Sequence, residues 1–156
     1  MQIPDVSEKW TAPINTVTIG ATKDQGGTRG KTVTVGGQTT LPFLTFEGEL
    51  PNKPVIAGFV ADTPPDWPDV LKQAIGKEIE SPTEWAQKCV QEYKVDLINL
   101  KLLGADPAGK DASPEECAKV VEAVLKAVDV PLILWGCGDD EKDNLVLPDC
   151  SPAAKG

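Results

Sequence analysis

The sequence predicts an α/β fold, which we assign as the N-terminal part of a (β/α)8 TIM barrel preceded by a small β-hairpin segment. Strand-like and helix-like segments alternate from Pro54 onward, and each strand is a short apolar run of the kind found in buried parallel sheets. A TIM barrel typically needs about 250 residues, so 156 residues supply only its first three βα units and we expect a truncated chain. A small open α/β sheet is the alternative.

The segment before Pro54 differs from the rest in pattern and in charge. Residues 16–19 and 32–35 alternate threonine with β-branched apolar residues, which predicts two half-buried strands joined by a glycine-rich loop. Residues 1–54 carry five basic and five acidic side chains, whereas residues 55–156 carry ten and nineteen. We therefore predict an N-terminal β-hairpin or extended segment at 1–53 and the βα units at 54–156.

Three strands and their connecting helices are predicted after this boundary. The strands are expected at 54–60, 96–103 and 130–135, with a short helix at 67–75. Two longer helices begin after Ser81 and Ser113, because each serine is followed directly by proline and three positions later by glutamate. The serine hydroxyl can accept an amide hydrogen bond while the glutamate returns one, which is a capping box with a proline start.

Composition excludes several classes of function. The chain has no histidine, so it can build no Ser-His-Asp or Cys-His site and no imidazole metal ligand. A net charge of −9 argues against a nucleic-acid partner. No apolar run approaches the roughly 20 residues of a membrane-spanning helix, and no signal core is present, so we expect a cytoplasmic protein without a membrane partner. The spacing of the four cysteines matches no zinc or iron–sulfur motif.

The loops that follow the three predicted strands carry the candidate site. These rim loops, residues 61–68, 104–111 and 136–143, are rich in glycine and aspartate, and ligands of parallel α/β folds bind beyond the carboxyl ends of the strands. Two polar residues of the second strand are expected to point into the same mouth. The candidate ligand-binding residues are Asp62, Asp66, Asn99, Lys101, Asp106, Gly136, Gly138 and Asp139.

Several of these residues have simpler interpretations. Lys101 could anchor a ligand or form a Schiff base, or it could be a lysine paired with a carboxylate and without chemistry. The acidic run from Asp139 to Glu141 could bind a cation, but it is equally suited to the first turn of a helix. Since no calcium-loop pattern accompanies it, we predict no metal site, and we predict no catalytic acid–base pair.

With these segments in place, the chain resembles a known family almost from end to end. The matching stretches are GATKDQGGTR at 20–29, LPF at 41–43, FEGE at 46–49, PDWPDVL at 65–71, WAQKCV at 85–90, LKL at 100–102, GADP at 104–107, GCGD at 136–139 and EKD at 141–143. The resemblance is to the small subunit of the corrinoid iron–sulfur protein, which is also the delta subunit of the acetyl-CoA decarbonylase/synthase complex. It covers the N-terminal half of that subunit.

The resemblance implies a role in anaerobic acetyl-CoA synthesis or cleavage (the Wood–Ljungdahl pathway). Family members complete a (β/α)8 barrel and pair with a large subunit that carries the iron–sulfur cluster, so no cluster is expected in this chain. The corrinoid (cobamide) is shared between the two subunits of this heterodimer. A methyltransferase loads a methyl group from methyltetrahydrofolate, and the methyl group then passes to acetyl-CoA synthase/CO dehydrogenase.

Two competing functions remain open from the residues alone. The chain could be a pterin-dependent methyltransferase barrel, in which Asp62, Asn99 or Asp106 grips the pterin ring. It could also be a lyase or aldolase that forms a Schiff base at Lys101.

Overall fold

A computed structural model describes residues 4–155 and divides the chain into two compact units. The first unit comprises residues up to 18 together with 34–55, and the second comprises 19–33 together with residues from 56 onward. The predicted early strands are confirmed as β1 (Val17–Ile19) and β2 (Val33–Val35), which form a two-stranded sheet.

The second unit contains a parallel sheet of three strands in the order β3-β4-β5. The strands are β3 (Ala57–Ala61), β4 (Leu97–Lys101) and β5 (Leu132–Trp135). Four helices accompany them: α1 (Asp69–Ile75), α2 (Pro82–Gln91), α3 (Pro114–Ala127) and α4 (Asp140–Ala153). The alternation of strands and helices predicted from the sequence is therefore confirmed.

The prediction of the N-terminal part of a (β/α)8 TIM barrel is wrong. Within residues 4–155 the sheet is open and has three strands, and both β3 and β5 are edge strands. A barrel requires eight strands, each paired on both sides, and this sheet does not curve back to join its edges. The alternative interpretation, a small open α/β sheet, describes the chain, and the same finding corrects the barrel expected from the family resemblance.

One face of the sheet packs on the helices and forms the core. The side chains of Ile98, Leu100 and Leu102 are fully buried there. On β3, a Cβ added at Gly58 would lie 3.1 Å from the Cβ of Cys89, so the backbone of β3 approaches α2 closely at this position. The buried residues of α3 lie on one side of the helix: Cys117, Val121, Val124 and Leu125.

The two predicted capping boxes have different outcomes. At Ser113 the box is complete, because its Oγ accepts from the Glu116 amide and its own amide donates to the Glu116 carboxylate. At Ser81 only the first half forms, since the Ser81 amide instead donates to the Glu78 carbonyl of a preceding 3-10 turn. The turn at Lys77–Glu80 thus occupies the Ser81 amide, which is the donor that the second half of the capping box needs.

Within the second unit, a buried arginine fixes the glycine-rich loop before β2 to the end of α3. The guanidinium of Arg29 donates to the carbonyls of Leu125, Val128 and Val130, at 2.8, 2.7 and 3.2 Å. These carbonyls lie at the end of α3 and at the approach to β5, so Arg29 caps the helix and fixes the entry to the strand. No helix in the described part of the chain is long and apolar enough to cross a membrane.

Candidate functional site

The three rim loops follow the carboxyl ends of the strands, and these ends lie together because the three strands are parallel. The hydrogen-bond ladder continues into these loops: the Asp62 amide donates to the Lys101 carbonyl at 3.1 Å, and the Leu102 amide donates to the Trp135 carbonyl at 2.8 Å. The candidate residues predicted from separate parts of the sequence therefore come together at one end of the second unit.

Asp62 connects the first two rim loops. Its Oδ1 accepts a hydrogen bond of 2.9 Å from the Gly104 amide, and a Cβ added at Gly104 would lie 2.8 Å from its Oδ2. Burial raises the pKa of the Asp62 carboxyl above its ordinary value, and backbone amides, among them that of Gly104, offset part of the increase. This carboxylate therefore holds the backbone of the second rim loop.

Asp143 performs the same role for the third rim loop. Its carboxylate accepts from the Cys137 amide at 2.8 Å, the Gly138 amide at 3.0 Å and the Cys137 thiol at 3.1 Å. Burial acts to raise its pKa, but these donors and the charge of Lys101 together lower it below the ordinary value. A Cβ added at Gly136 would lie 2.2 Å from the Asp143 carboxyl carbon, so only glycine fits beside it.

The other predicted aspartates accept hydrogen bonds from nearby backbone amides or are exposed. Asp106 accepts a hydrogen bond of 2.8 Å from the Ala108 amide within its own turn. Asp139 is the N-cap of α4, where its Oδ1 accepts from the Lys142 amide at 2.9 Å. The interpretation of the acidic run as a helix start thus describes Asp139, while Asp66 is exposed.

The second face of the sheet is only partly covered and carries the predicted residues of β4. Its register aligns Phe59, Asn99 and Ile133 across the three strands, followed by Ala61, Lys101 and Trp135. We call this surface the open face, defined by Phe59, Asn99, Lys101, Ile133 and Trp135. The side chains of Ile133 and Trp135 are 38% and 48% exposed, in contrast to the fully buried residues on the helix side.

Two polar side chains stand among the apolar groups of the open face. The Lys101 ammonium lies 4.0 Å from the centre of the Trp135 ring, a cation–π contact. Asn99 Oδ1 has no solvent exposure and no hydrogen-bond partner within residues 4–155. Such an orphaned acceptor costs free energy in the protein alone, so we regard Asn99 as a polar group whose partner comes from outside the described chain.

Aromatic side chains continue the open face toward β3. The ring of Phe59 lies 5.4 Å from Trp67, 5.9 Å from Trp85 and 6.4 Å from Trp135, with the last two arranged edge to face. Trp67 belongs to the first rim loop, so the aromatic surface extends from the sheet to the rim. These contacts give the site a rigid apolar border.

Sequence reasoning missed Asp143 and the aromatic border. Asp143 lies within the EKD stretch of the family resemblance, and its position three residues into α4 gave it the appearance of a helix-start acid. The glycines at 136 and 138 could have identified it. They lie just before a helix begins, where backbone N–H groups have no partner within the helix and need a hydrogen-bond acceptor. Phe59 was hidden inside an apolar strand, where pattern alone does not say which face it occupies.

Comparison with known proteins identifies the chain's relatives. A family model described as CO dehydrogenase/acetyl-CoA synthase delta subunit matches residues 16–156. The acetyl-CoA decarbonylase/synthase complex subunit delta of Methanocaldococcus jannaschii is 43% identical over 150 residues, which cover 96% of this chain and 36% of that protein. The corresponding subunit of Archaeoglobus fulgidus is 40% identical over 149 residues, covering 96% and 33%.

A third relative, the delta subunit of Methanothermobacter thermautotrophicus, is 44% identical over 131 residues, which cover 83% of this chain and 33% of that protein. The chain thus spans about a third of the length of the curated relatives it matches. The family model and these relatives agree with the resemblance drawn from the motifs. The chain belongs to the CO dehydrogenase/acetyl-CoA synthase delta subunit family.

Proposed function

We propose that this chain is part of a corrinoid methyl-carrier subunit, which helps move a methyl group from methyltetrahydrofolate to acetyl-CoA synthase. Beyond family membership, one observation carries the proposal. The open face and the three rim loops form a continuous surface of aromatic, amide and glycine groups at one end of the sheet. Three carboxylates of this surface, Asp62, Asp106 and Asp143, accept backbone amides and so hold the loops.

The residues of this surface fit a corrinoid. A corrinoid is a broad ring system edged by amide-bearing arms, and it needs apolar contact together with neutral hydrogen-bonding groups. Trp135 and Ile133 would supply apolar contact, the Asn99 amide would supply a polar group, and the open space beside Gly138 would let the loop backbone approach closely. When bound, the corrinoid supplies a cobalt centre that carries the methyl group.

The chain's own residues act by positioning and shelter. Asp62 and Asp143 hold the rim loops in fixed positions through backbone amides. The rings of Trp135 and Phe59, which pack edge to face at 6.4 Å, would give a bound corrinoid an apolar contact surface. Since the sequence has no histidine, these residues would offer a bound corrinoid no imidazole.

The proposed partners follow from the family. The relatives are named as subunits of the acetyl-CoA decarbonylase/synthase complex. For this chain we propose a heterodimer with a large corrinoid iron–sulfur subunit, which holds the cluster and shares the cobamide. A methyltetrahydrofolate methyltransferase and acetyl-CoA synthase/CO dehydrogenase are the proposed donor and acceptor of the methyl group.

The competing pterin-dependent methyltransferase is less well supported. It requires Asp62, Asn99 or Asp106 to grip a pterin ring, but both aspartates already accept hydrogen bonds from the backbone. Of the three, only Asn99 has a buried polar atom that lacks a partner in the described residues. A single amide without a free carboxylate suits the neutral edge of a corrinoid better than it suits a pterin.

Coexpression of this chain with the large subunit tests the proposal. We expect the purified complex to show corrinoid absorbance. The Trp135→Leu variant should retain several-fold less corrinoid than the wild-type chain, whereas Tyr93→Leu, a change of an exposed aromatic after α2, should retain the same amount. A complex that forms without corrinoid, or a chain that alone turns over methyltetrahydrofolate with free cobalamin, would overturn it.

A further inference from the structure

A single buried side chain holds the glycine-rich loop between β1 and β2 to the helix ends of the second unit. We call residues 20–30 of this loop the strap. Arg29 is buried, whereas every other residue of the strap is exposed or half-buried. The strap therefore has no buried apolar anchor, and its attachment depends on the guanidinium of Arg29.

The guanidinium of Arg29 occupies a cluster of backbone carbonyls. It donates to the carbonyls of Leu125, Val128 and Val130 at 2.8, 2.7 and 3.2 Å, and within residues 4–155 it forms no ion pair. Carbonyl oxygens at the C-terminal end of a helix carry partial negative charge and attract cations. Several acceptors around one planar group suit a guanidinium, whose N–H groups form a fixed fork, better than they suit a compact ammonium.

Empty space lies on both sides of this guanidinium. A cavity of about 880 Å³ has Arg29, Leu125 and Val128 in its lining, and a second cavity of about 260 Å³ has Arg29, Leu125 and Gly20. A packed protein interior leaves few voids larger than a water molecule. The strap is therefore held by the hydrogen bonds of one side chain and not by close packing.

The strap also has a hydrogen-bonded structure of its own. The amides of Gln25 and Gly27 donate to the Thr22 carbonyl at 2.9 and 2.8 Å, and the Arg29 amide donates to the Ala21 carbonyl at 3.0 Å. Donors and acceptors of these three bonds all lie inside the strap. Its backbone can therefore keep its shape when it leaves the helix ends.

Glycines stand at both ends of the strap and touch the residues that lead into β5. A Cβ added at Gly20 would lie 2.8 Å from the Cγ of Pro131, and Gly20 has a φ of 84°. The Gly30 amide donates to the Asp129 carbonyl at 2.8 Å. Because glycine tolerates the large changes of φ and ψ that a hinge requires, the strap can turn at these two positions.

We infer that the strap is a lid that lifts as a preformed body, and that the carbonyls beneath Arg29 form a guanidinium-binding site which the chain's own arginine occupies when the lid is closed. Lifting breaks the bonds of the Arg29 side chain and of the Gly30 amide, and it keeps the bonds within the strap. The vacated carbonyls then accept an outside alkylguanidinium. This site lies at the opposite end of β5 from the rim loops, so the inference does not depend on the proposed function.

Amide hydrogen exchange of the full wild-type chain, resolved by NMR, tests the lid. The Gly30 amide should exchange through an opening that low concentrations of urea scarcely affect, because lifting a strap without an apolar anchor exposes little surface. The amide of the buried Leu102, which donates to the Trp135 carbonyl, should exchange only through the larger unfolding that urea promotes. The same urea dependence at Gly30 and Leu102 would overturn the inference.

Arg29→Met tests the latch, because it keeps a long side chain and removes the guanidinium. We expect the Gly30 amide to exchange at least about tenfold faster, and the Gly27 amide to change less than about twofold. Lys31→Met is the matched control, since this neighbouring cation forms only an exposed pair with Asp96 at 3.9 Å. Equal acceleration at Gly27 and Gly30 would mean that the strap unfolds instead of lifting, and an unchanged Gly30 would mean that Arg29 is not the latch. Either result overturns the inference.

Chemical rescue tests the guanidinium site. Ethylguanidinium replaces the atoms that Arg29→Ala removes, so at about 10 mM it should slow exchange of the Gly30 amide in this variant several-fold, as expected for a small ligand of millimolar affinity. Ethylammonium at the same concentration lacks the planar fork and should have no effect. Equal effects of the two salts, or none from ethylguanidinium, would overturn the site. The wild-type measurement in urea requires neither variant to fold, so it decides the lid by itself.

Discussion

On each side of the rim an aspartate holds the loop by accepting backbone amides, but the pKa values of the two aspartates are shifted in opposite directions. On the β3–β4 side, Asp62 accepts the Gly104 amide, and burial raises its pKa. On the β5 side, Asp143 is also subject to a burial effect that raises its pKa, but two amides, a thiol and Lys101 outweigh it and lower the pKa. The difference teaches that burial and a nearby cation, and not the number of donors alone, decide whether the charged form of such a carboxylate is favoured, since Asp62 also has several backbone donors.

The comparison also separates two kinds of glycine. Gly104 and Gly136 leave room for a carboxylate, which would lie 2.8 Å and 2.2 Å from an added Cβ. Gly138 instead adopts a positive φ of 106°, with nothing within 4 Å of an added Cβ. Of the two glycines predicted at the candidate site, Gly136 therefore admits the carboxylate that fixes its loop, whereas Gly138 has open space beside it.

Gly136→Ala should have the largest effect on this arrangement. The new methyl group would collide with the Asp143 carboxylate, which three hydrogen bonds hold in place. We expect the free energy of unfolding to fall by about 3 kcal/mol, measured by urea denaturation. Gly109→Ala is the control, because its nearest neighbour would be an ordinary contact at 3.6 Å.

A double variant tests whether the collision is the cause. Combining Gly136→Ala with Asp143→Ala removes the group that the new methyl meets. The double variant should therefore lose clearly less unfolding free energy than the sum of the two single losses. Strict additivity, or a Gly109→Ala loss equal to that of Gly136→Ala, would contradict the proposed contact.

Asp143→Asn should have an intermediate effect that depends on pH. The pKa of Asp143 is lowered in the folded protein, so its stabilisation is present above the ordinary carboxyl pKa of about 3.9 and is lost as pH falls through the folded value. We expect a loss of about 2 kcal/mol at pH 7 that disappears in acid. Asp140→Asn, an exposed neighbour, is the control. A loss that is the same at pH 7 and in acid would argue against the charge.

The sequence predicted the positions of the elements better than their larger arrangement. The strands at Leu97–Lys101 and Leu132–Trp135 lie within the predicted runs, and Ala57–Ala61 extends one residue beyond its predicted run, because apolar continuity reports burial directly. The barrel was wrong because the same strand pattern suits a closed or an open sheet, and only pairing at the edges distinguishes them. Local patterns therefore determine the strands without determining closure.

For the candidate site, too, the sequence predicted the positions of the loops but not the contacts of their side chains. The strand-end rule placed the three rim loops together, since it depends only on parallel direction. It did not reveal what each carboxylate contacts, and Asp62, predicted as a ligand group, in fact accepts the Gly104 amide. Hydrogen bonds between residues 42 positions apart are not visible in a single sequence.

Asp62→Asn should have the smallest effect and the opposite sign. The pKa of Asp62 is raised in the folded protein, so its contribution to stability is fully present below the ordinary carboxyl pKa and is lost as pH rises through the folded value. Asparagine keeps an acceptor for the Gly104 amide without a buried charge, so at pH 7 we expect unfolding to cost on the order of 1 kcal/mol more than in the wild-type chain. The gain should vanish in acid, where both side chains are neutral. If Asp62→Asn instead destabilises the protein most at neutral pH, as Asp143→Asn is expected to do, then the charge of Asp62 stabilises the rim and the contrast between its two sides does not hold.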